Sequence, residues 1–258
     1  GRYRMDFEDL ERRIDHDTYA FILCNPQNPT GNVWSRDDLM TLGEICTRRR
    51  VIVLADEIHC DFVTRGHTYT PYATLDDEAI VRNSVTYKSV SKSFNLSSLK
   101  CAYLFSTNAD YLDRILGAGQ HRQGMNTLGV VAAETAYNEC ENWLDQLVDY
   151  IDGTQERVES FVASRVPHVR VVKPEGTYLS WLDVSEAIDR VDPGDVAGHD
   201  ETPEQRFQRY LLEHAHIHIN PGSSYGTSGA GCMRMNIAAS RQLVDRALGN
   251  LATAMARL

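Results

Sequence analysis

VIVLADEIHCDF, residues 51–62, is the stretch on which the fold turns. Its first five residues are apolar, three of them β-branched. The run has no polar alternation and ends in Asp56, Glu57, His59 and Asp61. An unalternated β-branched run suits a strand buried on both faces, as in a parallel sheet. Three more such runs stand nearby: AFILC (20–24), SVTY (84–87) and CAYLF (101–105). Between the first two, Ser35 with Asp38 three residues on makes a capping box. It opens a helix carrying Leu39, Leu42, Ile45 and Cys46 at helical spacing. Strands separated by helices or long crossovers predict parallel pairing and an α/β layered sheet.

From Leu128 to Phe161 the pattern is helical, with Tyr137, Leu144, Leu147 and Ile151 on one face. The remainder reads as α+β. VRVV (169–172) and TYLSWLDV (177–184) are strands. An acidic Gly/Pro loop over 189–200 has a composition that predicts mobility. A helix over 203–214, a strand near His216–Ile219 and a closing helix from Ser240 or Arg241 follow. The expected division is a large domain over 1–150, including the start of an interdomain helix, and a small C-terminal α+β domain over 151–258.

Of 258 residues, 42% are hydrophobic and 24% charged, with 17 Gly and 8 Pro, which excludes collagen-like and wholly disordered chains. No apolar run approaches the ~20 residues that span a bilayer, so no membrane helix is expected. The opening GRYRMDFEDLERRID lacks the apolar core of a secretory signal. Basic residues number 26 against 36 acidic, a net charge of −10, and such a chain repels phosphate backbones. The run Arg48-Arg49-Arg50 is read as a solvated helix end, so no nucleic-acid partner is expected. Six scattered cysteines without a C-x-x-C pair suggest a reduced, cytoplasmic compartment, with thiols acting as small hydrophobes.

Three motifs carry chemistry. NPQNPTG (25–31) is a rigid turn at the carboxyl end of a strand, the edge where open α/β sheets bind ligands. In LADEIHCDF (54–62), Asp56 ends a buried strand, where a carboxylate needs a cation. That cation is either a metal shared with His59 or the protonated ring nitrogen of a cofactor. In TYKSVSKSFNLSSLK (86–100), Lys92 follows a strand among Ser89, Ser91 and Ser93, hydroxyls able to cradle a phosphate.

In this order the motifs resemble the class I/II aminotransferases of the fold-type I pyridoxal 5'-phosphate (PLP) superfamily. DEIHxD and SKSFN look most like the branch of cystathionine β-lyases and cysteine-S-conjugate β-lyases. PEGTYLSWLDV (174–184), NPGSSYG (220–226) and RMNIA (234–238) extend the resemblance along the whole chain. It implies a PLP-dependent transferase-like fold with a mainly parallel sheet. Lys92 matches the Schiff-base lysine, and Asp56 the partner of the pyridine nitrogen. Asn28 matches the amide on the ring 3-oxygen, and His59 a second ring contact. Ser89 and Ser91 match phosphate-side hydroxyls, and Arg234 the grip on the substrate carboxylate. Asp56 keeps the ring protonated as an electron sink, and a carboxylate is best held by a guanidinium fork. Tyr225 is read as either turn packing or the substrate mouth.

Two departures are visible. Lys100 stands where many aminotransferases carry a phosphate-binding arginine, which tilts the reading toward the lyases. Relatives also carry a segment before the equivalent of GRYRMDFEDLE, so this chain is expected to be part of a longer protein. The activity implied is carbon–sulfur β-elimination from cystathionine or S-substituted cysteines, giving thiol, 2-oxo acid and ammonia. An aminotransferase and a non-catalytic PLP-fold scaffold are the alternatives. The resemblance also implies a homodimer.

The other candidates read as structure. His214, His216 and His218 would share one face of a strand, but only Glu213 lies near enough in sequence to help complete a metal site, so no metal is expected. Trp143, Trp181 and Tyr137 are assigned to packing, and Glu57 to a backbone-bonded structural carboxylate. Asn126 is placed at the wall of the active site.

Overall fold

The computed structural model describes residues 2–118, 126–192 and 201–258. These form two compact units. One comprises Tyr3–Gln27 and Asn32–Val148; the other comprises Gly1–Arg2, Asn28–Gly31 and Asp149–Leu258.

The first unit is built on a four-stranded sheet. Its elements are α1 (Phe7–Arg13), β1 (Ala20–Cys24), α2 (Arg36–Arg49), β2 (Ile52–Asp56), α3 (Glu78–Arg82), β3 (Ser84–Ser89), α4 (Val90–Ser93), β4 (Ala102–Phe105), α5 (Ala109–Gly117) and α6 (Thr127–Glu139). The sheet order is β1-β2-β3-β4. β1 pairs with β2, and β2 with β3, in parallel, with Cys24 opposite Asp56 and Asp56 opposite Tyr87.

β4 departs from the expectation. CAYLF runs antiparallel to β3, with Ser89 opposite Ala102. The intervening residues turn back at the carboxyl end of β3 through α4 and a short 3₁₀ turn, whereas a parallel return needs a crossover of the whole sheet. Burial on both faces also fails at the outer strands. Ile22 of β1 is 72% exposed, and Tyr103 and Phe105 of β4 are exposed too.

The core of this unit sits between the sheet and α2. Ser35 caps α2 through the expected box with Asp38, and Leu39, Leu42, Ile45 and Cys46 face inward. Leu39, Leu42 and Cys46 meet Leu23, Val53, Ala55, Tyr72 and Ile80. Burial pushes the Cys46 thiol up to about 11.

α7 (Glu141–Arg165) runs from the first unit into the second. The second unit adds β5 (Arg170–Val172), β6 (Leu179–Asp183), α8 (Ser185–Ile188), α9 (Pro203–Ala215), β7 (Asn220–Pro221), β8 (Cys232–Asn236) and α10 (Arg241–Met255). Its sheet is β5-β6-β8-β7, antiparallel throughout. Val158, Val162, Leu182, Phe207, Leu211, Met233, Leu248 and Leu251 build its core.

The strand expected over His216–Ile219 is a helix end instead. α9 continues to Ala215, His216 takes the left-handed conformation at φ 54°, and the Ile217 N–H reaches back to the Leu211 carbonyl at 3.2 Å. The His216 N–H goes to the same carbonyl, and the left-handed residue ends the helix there. The alternating His/apolar pattern therefore does not place three histidines on one strand face. In the loop expected to be mobile, residues 193–200 lie outside the described residues.

Leu39→Ala removes a fully buried side chain from the α2–sheet core and is expected to cost about 2–5 kcal/mol. Ser35→Ala, which removes only the cap, is expected to cost about 1 kcal/mol. Urea unfolding of the two variants measures both losses.

Candidate active site

The sheet edge of the first unit gathers the first set of residues. β1 and β2 end in register, Cys24 opposite Asp56, and β3 continues past Tyr87, the partner of Asp56, to Ser89. After β1, the Asn25 N–H donates to the Asp56 carbonyl at 3.0 Å. The wholly buried Asn25 side chain accepts from the Trp34 N–H and donates to the Thr70 carbonyl, each at 3.2 Å. The Trp34 indole donates to the Cys24 carbonyl at 3.0 Å. The Asn25–Pro26 and Asn28–Pro29 peptides are cis.

Asp56 closes β2, and its Oδ1 accepts the Ile58 N–H at 3.2 Å. Two backbone bonds, Cys60 N–H to Glu57 and Phe62 N–H to His59, coil the following loop. His59 is buried in it. Lys92 lies on α4, directly beyond β3 and half-buried. The parallel register thus brings Asp56, His59 and Lys92 to one edge.

The serines differ from one another. Ser89 caps α4, accepting the Ser91 N–H at 3.0 Å, and its hydroxyl donates to the Cys101 carbonyl at 2.7 Å. Its single proton is thereby engaged by backbone. Ser91 is half-buried. Lys100 is exposed, in the left-handed conformation at φ 54°. Asn126 caps α6, with Oδ1 on the Leu128 N–H and its amide on the Leu99 carbonyl.

Glu57 is a structural carboxylate, completely buried, with Oε1 on the Tyr72 N–H at 2.7 Å. Its neighbours were not foreseen. The Lys88 ammonium lies 3.6 Å from Glu57 Oε2, 3.4 Å from the Cys60 sulfur, and over the Tyr69 ring. Burial alone would lower the Lys88 pKa, but the Cys60 sulfur and the Glu57 carboxylate outweigh it and the net direction is up. Burial, with the Asp61 charge behind it, pushes the Cys60 thiol up to about 11. Burial, then Glu57, pushes the Tyr69 hydroxyl up. The contact of Ser93 with Asp61 was also missed. The spacing of the carboxylates after β2 was the available signal. Its partners lie on β3 and α4, which a reading of one segment does not reach.

The second unit holds Asn28, Arg234 and Tyr225. Arg234, on β8 opposite Trp181 and Asn220, donates from Nη1 to Asn28 Oδ1 at 3.0 Å. Its guanidinium lies 4.8 Å from the centre of the Tyr225 ring. The Tyr225 hydroxyl accepts from the Asn220 amide at 2.9 Å, and its ring meets Trp181 edge-on. The buried Arg234 Nε has no hydrogen-bond partner among the described residues. A guanidinium so held, with a donor unused, is equipped to receive a carboxylate. Gly31, three residues on from Asn28, anchors the same turn. That residue has φ +75°, and its carbonyl accepts the N–H groups of Glu175 and Gly176, both at 2.9 Å. A Cβ there would fall 2.7 Å from the Pro174 Cβ, so only glycine fits. Trp181 is buried in this unit, whereas Trp143 is half-exposed and stacks on Phe94, and Tyr137 meets Phe94 edge-on.

With this geometry the family follows. The profile of aminotransferase class I and II matches residues 1–251, and the chain belongs to that family. Within it, the chain is 36% identical over 260 residues to the cystathionine beta-lyase PatB of Bacillus subtilis, covering 99% of this chain and 63% of that protein. It is 27% identical over 247 residues to an aspartate aminotransferase of Bacillus sp. YM-2, covering 95% of this chain and 60% of that one. Cystalysin of Treponema denticola, whose crystal structure contains a pyridoxal 5'-phosphate cofactor, superimposes with a TM-score of 0.89 at 29% identity, over 99% of this chain and 62% of that one. The fold is that of the PLP-dependent aminotransferases, and this chain spans less than two thirds of the length of these relatives.

Glu57→Ala leaves the Tyr72 N–H and the Lys88 ammonium without their carboxylate. A loss of about 3–5 kcal/mol in urea unfolding is expected. Adding Lys88→Met is expected to recover part of it.

Proposed function

We propose that the full-length protein is a PLP-dependent carbon–sulfur β-lyase acting on cystathionine or other S-substituted cysteines. The observation that carries this reading is the shared edge. An acid at the end of β2 and an amine just beyond β3 stand on neighbouring parallel strands, with Asp56 opposite Tyr87. That pair fits a pyridoxal ring, which needs a carboxylate at its nitrogen and a lysine at its aldehyde. When bound, the cofactor supplies an electron sink for charge developing at the substrate Cα.

The residues act as follows. Asp56 would hold a proton on the ring nitrogen, and His59 and Asn28 are the side chains that would serve the ring. The Ser91 hydroxyl and the Lys100 ammonium serve the phosphate. Ser89 contributes by fixing α4, since a direct phosphate contact would require its hydroxyl to leave Cys101. Lys92 would hold the cofactor and, as general base, take the Cα proton of the substrate. Arg234 grips the substrate carboxylate through donors that Asn28 does not use, and Tyr225 covers one face of its guanidinium. Loss of the Cβ thiolate and hydrolysis convert cystathionine and water to homocysteine, pyruvate and ammonia.

Free cysteines fit a reducing, cytoplasmic setting, and no described helix is long and apolar enough to cross a membrane. A homodimer is part of the proposal, supported by apolar side chains such as Leu128 and Val131 that α6 leaves exposed.

Incubating the full-length protein with cystathionine and no 2-oxo acid tests the reaction. Sustained pyruvate and thiol release is expected. Arrest after one turnover would establish an aminotransferase, and no bound cofactor a scaffold. Lys92→Ala is expected to abolish turnover and the borohydride-trapped cofactor adduct. Arg234→Lys, a point charge in place of a fork, is expected to raise KM by roughly tenfold or more.

A further inference from the structure

α4 has four residues. So short a helix makes too few internal bonds to offset the cost of nucleation. Its direction must therefore be imposed by its surroundings. Two serines do this, one at each end. Ser89 ties the first turn to the Cys101 carbonyl at the start of β4. Ser93, wholly buried, donates its hydroxyl hydrogen bond to Asp61 Oδ2 in the loop that follows β2. Lys92 lies between the two ties, next to the second. Val90 and Phe94, on either side, pack with Ala136 in a small core of their own.

Asp61 occupies the end of the coiled loop that begins at Asp56. Its carboxylate is near enough to Tyr137 to add, behind burial and the Tyr103 hydroxyl, to the upward push on the Tyr137 pKa. Tyr137 itself meets Phe94 and Tyr103 edge-on.

We propose that Asp61 is a positioning residue for Lys92: by accepting the Ser93 hydroxyl it sets the direction in which α4 presents the lysine amine. The inference rests on Lys92 being the cofactor-bearing lysine. It gives one loop two tasks. The residue that starts it meets the ring nitrogen, and the residue five places on orients the amine at the ring's other end. The separation of acid and amine is then held by a single short segment.

The test compares Asp61→Leu, Asp61→Asn and Ser93→Ala in the full-length protein, loaded with PLP and cofactor-free. Asp61→Leu and Ser93→Ala each remove the bond. A kcat lower by about 10- to 100-fold is expected, with KM changed by no more than about twofold. The visible circular dichroism of the bound cofactor should weaken, because it reports how the ring is held. In the cofactor-free protein the Phe94 amide, bonded to the Val90 carbonyl at 3.1 Å, should exchange roughly tenfold faster. Asp61→Asn keeps an acceptor and should restore all three. The double variant should be no worse than either single one. If Asp61→Leu does not fold, Ser93→Ala decides alone, since it removes the same bond from the other side.

Cofactor trapped on Lys92 with unaltered kcat, dichroism and Phe94 exchange in Ser93→Ala overturns the role of Asp61 alone. Equal damage in Asp61→Asn and Asp61→Leu does the same, since charge rather than the bond would then matter. Cofactor trapped by borohydride on another lysine overturns the functional reading and the role of Asp61 with it.

Discussion

Parallel hydrogen bonding between β1, β2 and β3 is the constraint on which the rest depends. It fixes where three strands stop, and with that the starting points of three turns. Each turn carries groups a strand interior could not accommodate. Asn25 is satisfied on both sides by backbone. Glu57 is fully buried and bonded. Asp56 stands at the edge with one oxygen on the Ile58 N–H. Buried polar groups of this kind are tolerated only where partners are supplied, and the strand ends supply them. A shift of β2 by one residue would exchange its inward and outward faces and send Asp56 to the other side of the sheet.

Much of this was legible from local pattern. Apolar runs located β1, β2 and β3, and the Ser35–Asp38 box located the start of α2. Ser240 was recognised at the start of α10. Strand direction was not legible for CAYLF, because composition reports burial and says nothing of which way a chain returns. His216 shows a different failure. A period-two pattern over six residues suits a strand, but a left-handed residue after Ala215 produces the same alternation at a helix stop.

At the site, residue types were readable and their partners were not. Lys92, Asp56 and Asn28 stood out through their motifs. The engagement of Ser89 by Cys101, of Ser93 by Asp61 and of Lys88 by Glu57 and Cys60 depends on pairings across β2, β3 and β4. Those pairings exist only once the sheet has formed. Serines that read alike in SVSKS thus separate by the neighbour each one finds: Ser89 holds a backbone carbonyl, Ser93 holds a carboxylate, and Ser91 stands directly before the lysine.

Asn28–Gly31 belongs to the second unit although the residues on both sides of it belong to the first. The chain therefore visits that unit at Arg2 and again over Asn28–Gly31, and returns for good only at Asp149. Recombination at this later boundary would separate Arg234 from the amide that accepts from it. The C-terminal unit is consequently no interchangeable cassette. Its inheritance is bound to a four-residue stitch placed more than a hundred positions upstream, and the two must diverge together.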